Sequence, residues 1–130
     1  MKKILCLIAL LLASNAYAAD GKDAKNEWQN TTISEATIAK IQAAKYEYKK
    51  CASDEMQKST YATQESRAAT ELIIKQCEPV LAKMRTVYVD EKVPEVIADR
   101  HLKQLRLQIT RDVLQNMMYG EAARSSGQTK

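Results

Sequence analysis

The stretch Cys51–Cys77, CASDEMQKSTYATQESRAATELIIKQC, decides how this chain folds. On either side of its centre, apolar residues recur at three- and four-residue steps, the period of one helix face. Between the two runs lies the polar segment from Ser59 to Ser66. Its hydroxyls compete for backbone hydrogen bonds and favour helix ends over helix interiors. No glycine or proline marks a turn there, so propensity alone permits one unbroken helix. The cysteines choose. In one helix Cys51 and Cys77 would stand about 39 Å apart along the axis, whereas a cystine holds its Cα atoms within roughly 7 Å. If the two are bonded, the chain reverses near Gln64, their midpoint, and forms an antiparallel helical hairpin.

The start of the chain makes bonding the expectation. Lys2 and Lys3 precede the apolar run Ile4–Ala13, and Ala16-Tyr17-Ala18 supplies small residues at a cleavage site. These zones predict a signal peptide over 1–18, cleaved after Ala18, and hence a periplasmic or secreted protein. The apolar run falls short of the roughly 20 residues a bilayer span needs, so no stable membrane anchor is expected after cleavage. Cys6 leaves with the signal. Two cysteines remain in an oxidising compartment, and a Cys51–Cys77 disulfide is the expected state. The chain has no Cys-x-x-Cys pair and a single histidine, which argues against a zinc site.

Cleavage also changes the charge. The whole chain carries 20 basic and 16 acidic residues, but Lys2 and Lys3 belong to the signal. The mature balance is nearly neutral, with no Lys/Arg cluster and no phenylalanine, so nucleic-acid binding is not expected.

Residues 19–31 are polar and aperiodic and read as a flexible leader. Trp28 within it is either a lid on the helical core or an exposed anchor for a partner. The helical domain is expected over 32–120. Thr32-Ile33-Ser34-Glu35 fits a capping box that starts helix one. Ile38, Ile41, Ala44, Tyr48, Cys51 and Ala52 follow at helical spacing. Helix two carries Ala69, Leu72, Ile73, Gln76, Cys77, Val80, Met84, Val87 and Tyr88, interrupted by Pro79, so a kink or short break is expected near Glu78. Pro94 suits the first turn of helix three, and Gly120 is placed where a helix ends. Residues 121–130 read as a disordered tail. The fold class that results is all-α: a small three-helix bundle built on the stapled hairpin.

Catalytic chemistry finds little here. Any triad must use His101, the only histidine, and its helical neighbours Ile97, Ala98, Gln104 and Leu105 offer neither an orienting carboxylate nor a nucleophile. The three glycines form no phosphate-binding loop. No catalytic residue, metal or cofactor is assigned. His101 with Met56, Met84, Met117 or Met118 keeps a ligand- or cofactor-carrying bundle as the alternative reading.

Helix three is more telling. Ala98, Leu102, Leu105, Ile109, Val113 and Asn116 fall within an arc of roughly 80° and read as the face toward the hairpin. On the other side Val96, Leu107, Leu114 and Met118 fall within about 40° of one another, accompanied by Arg100, Lys103 and Arg111. An outer helix ordinarily shows charge there rather than a second apolar stripe. Either the leader with Trp28 covers it, or it is a contact surface for another protein or a second copy in a homodimer. The expectation is a protein-interaction module of the accessory-subunit, chaperone or immunity type.

Overall fold

The computed structural model describes residues 33–127, and the expected signal peptide, the expected leader with Trp28 and the last three residues lie outside that range. Three helices follow in order: α1 (Glu35–Met56), α2 (Ser66–Asp90) and α3 (Glu95–Gly127), with one 3₁₀ turn at Ser59–Tyr61. The described residues contain no strand. Cys51 and Cys77 are bonded, with Cα atoms 5.9 Å apart. The stapled hairpin and the three-helix bundle therefore form as the sequence predicts, and the reversal falls in the hydroxyl-rich stretch. Buried Tyr61 closes that turn by donating its hydroxyl to Glu55 Oε2 at 3.1 Å.

A second cross-link keeps the same register. Thr37 lies as far before Cys51 as Glu91 lies beyond Cys77, and Thr37 Oγ1 donates to Glu91 Oε2 at 2.8 Å. Lys40 Nζ takes the other carboxylate oxygen. The cap of α1 is Ser34, not Thr32: its Oγ accepts the Thr37 N–H at 3.1 Å. With Thr37, Ile41, Tyr48 and Ala52 turned inward, Ile38 rotates out of the expected stripe and is 46% exposed.

The break expected at Pro79 does not occur, and α2 is continuous across it. Pro79 and Lys75, whose carbonyl would have met the missing N–H, are both exposed. The unmatched acceptor is thus on the wet side, while Ile73, Cys77, Leu81, Met84 and Tyr88 carry the buried face past it. Helix α2 packs against both neighbours, which widens its buried arc to include Ile74 and leaves Leu72 and Gln76 outside.

The corner after α2 ends the helix by a Schellman motif. Val93 N–H donates to Tyr88 O and Lys92 N–H to Val89 O, both at 3.0 Å. Lys92 takes the left-handed position, φ 57°, and buried Val93 packs into the same core as Tyr88.

Helix α3 does not stop at Gly120. It continues to Gly127, so residues 121–127 are helical rather than the disordered tail the composition suggests. The cause is tertiary. Glu121 Oε2 accepts the Ser66 N–H at 3.0 Å and the Ser66 hydroxyl, and Arg124 reaches Gln64 O at 3.4 Å. Glu65 caps the same helix start by accepting the Ala68 N–H at 2.9 Å. Two carboxylates thus satisfy the positive end of α2, and one of them fastens α3.

Candidate functional site

The face of α3 toward the hairpin is as expected for Ala98, Leu102, Leu105, Ile109 and Val113, all buried. Asn116, at the edge of that arc, is exposed instead, and its Nδ2 donates to Asp112 O at 2.7 Å.

The opposite face carries the second stripe. Val96 is 44%, Leu107 46% and Met118 56% exposed, values high enough to make each a surface residue. Arg100, Lys103 and Arg111 are exposed as well. Leu114 differs, being half-buried, and it lines two hollows. One, of about 300 Å³, is the groove between α2 and α3 lined by Arg67, Thr70, Glu71, Ile74, Arg106 and Thr110 beside Leu114. The other, of about 330 Å³, lies along α3 among Arg111, Gln115, Met118 and Tyr119. Leu114 is the ridge between them, a relief invisible in the helical spacing because one wall belongs to α2.

The stripe also has a repeat of its own. Val96, Leu107 and Met118 recur every eleven residues, as does Arg100 with Arg111. Eleven residues overshoot three helical turns by about 20°, so these side chains form a band that turns by only about 40° over about 33 Å. No acidic residue falls on that line between Val96 and Met118. The neighbouring charges are mostly consumed by the packing of α2 on α3. Arg85 pairs with Glu95 at 3.0 Å and Asp99 at 2.9 Å, and Arg106 pairs with Glu78 at 2.6 Å.

His101 has a partner that its own helix does not supply. Its Nδ1 is hydrogen-bonded to the hydroxyl of buried Tyr88 on α2, with the rings edge to face at 5.7 Å. Burial pushes the Tyr88 phenol up from its ordinary pKa, so the phenol stays neutral. This pair contains no carboxylate and no nucleophile of the kind a hydrolytic triad needs. Among the described residues, no group of three or more His, Cys, Asp or Glu side chains converges as a metal site would. None of the described helices is long and apolar enough to cross a membrane.

No protein-family model, curated protein or solved structure matches this chain.

Proposed function

We propose that this is an exported helical module that works by binding another protein through the outer face of α3. The disulfide fits an oxidising compartment, and the amino-terminal signal sequence fits periplasmic or secreted delivery. The observation that carries the reading is the exposure of Val96, Leu107 and Met118 along one line of a helix whose other face is already buried. Surface apolar residues scattered singly need no explanation, but an aligned set beside two hollows marks a contact surface.

The test replaces the two most exposed stripe residues, Leu107 and Met118, with glutamine. Leu107→Gln with Met118→Gln is expected to leave the melting temperature within about 2 °C, since surface changes usually fall within roughly 0.5 kcal/mol. The same variant is expected to lose the partner that the unaltered protein retains from an envelope extract. A fall in melting temperature of 10 °C or more, by about the scale of a core truncation, would return the stripe to the core.

A further inference from the structure

We infer that the partner seated on this face is an acidic amphipathic helix, not a second copy of the chain; this rests on the reading of the outer face of α3 as the working surface. Charge separates the two occupants. Lys103 and Arg111 are exposed, and neither is ion-paired within the described residues. No carboxylate shares their line from Val96 to Met118. A twofold pairing of α3 with itself, antiparallel about Leu107, would set Lys103 opposite Arg111 on both sides and Arg100 opposite Leu114. A parallel pairing sets each cation against its own copy. Either seam brings Lys103 and Arg111 against like charges with no carboxylate of α3 on their line, and like-charge juxtaposition is what specific interfaces avoid.

A facing helix with Asp or Glu at these places has the complementary field. The repeat of eleven residues in Val96, Leu107 and Met118 matches a partner helix that winds with a shallow right-handed sense and keeps apolar contacts in step over the same length. The relief points the same way. Hollows of about 300 and 330 Å³ flank Leu114 and receive side chains projecting from a partner, in the helix-in-groove manner. A bilayer surface, by contrast, is engaged by residues that protrude into it.

The experiment places a photo-crosslinking amino acid at Gln104 or Gln115, beside the stripe and outside it, in the full chain within cells that export it. Crosslinked peptides are then sequenced by mass spectrometry. The expected product is a segment of another protein with more Asp and Glu than Lys and Arg, and with apolar residues at helical spacing. Lys103→Glu with Arg111→Glu is expected to cut that product by at least about tenfold without changing the melting temperature. Crosslinks to a second copy, or to a segment with no acidic excess, overturn the acidic-helix inference and leave the protein-binding reading standing. An undiminished product from the charge-reversed variant overturns it as well. Crosslinks to phospholipid, or none from either position, overturn both.

Discussion

Two single positions show how far local rules bend to tertiary ones. Lys92 occupies the left-handed place at the end of α2, φ 57°, where glycine is the residue without a Cβ penalty. Gly120 sits inside a continuous helix, where glycine is worse than alanine by roughly 1 kcal/mol. A Cβ added at Gly120 meets nothing nearer than the Arg124 guanidinium at 3.5 Å, an ordinary contact. Lys92→Gly and Gly120→Ala are each expected to raise stability by about 0.5–1 kcal/mol, read as a higher urea midpoint at unchanged slope. A loss from Gly120→Ala would mean that the helix is not continuous there.

At the scale of elements, the ends of helices are where the sequence was hardest to read. The two stripes of α3 follow from spacing within one segment, and the hairpin from the reach of one cystine. The extension beyond Gly120 depends on a partner far along the chain, Ser66 for Glu121, and the uninterrupted passage of Pro79 depends on which face of α2 stays exposed. Spacing carries no record of them. The relief around Leu114 escaped for the same reason, since Arg67, Thr70, Glu71 and Ile74 come from α2.

The Glu121 clasp can be tested by pH. Its hydrogen bonds to Ser66 hold the Glu121 carboxyl below the usual glutamate range, as Lys40 and then Thr37 do for Glu91. A folded-state pKa lowered in this way stabilises above the unfolded carboxyl range, and the gain is lost as pH falls through the folded value. Amide exchange over residues 121–127, corrected for its intrinsic pH dependence, is therefore expected to lose protection below the ordinary glutamate range. Glu121→Gln is expected to show weakened protection already at neutral pH and to flatten the acid dependence of that segment. Unchanged protection in the variant would leave the helical extension without the cause assigned to it.

For the whole molecule, the disulfide is the largest single contribution that one bond makes. Closing a loop of about 27 residues stabilises by roughly 3.5 kcal/mol on the chain-entropy estimate, against a total of about 5–15 kcal/mol for a domain of this size. Cys51→Ala with Cys77→Ala is expected to lower the melting temperature by well over 5 °C, measured by circular dichroism. An unchanged melting curve would show that the hairpin is held by packing and the Thr37–Glu91 link alone.

That bond also sets an order in time. Each helix packs chiefly against the next one in the chain, so little loop entropy stands in the way, and bundles of this kind assemble in microseconds to milliseconds. Joining two sulfurs takes seconds to hours. The thiols of Cys51 and Cys77 therefore spend their reduced lifetime in a chain that has already collapsed into its hairpin, Cys77 wholly enclosed and Cys51 only half so. On that order Cys51 is the thiol more open to an oxidant. The latch is closed on a shape made before it.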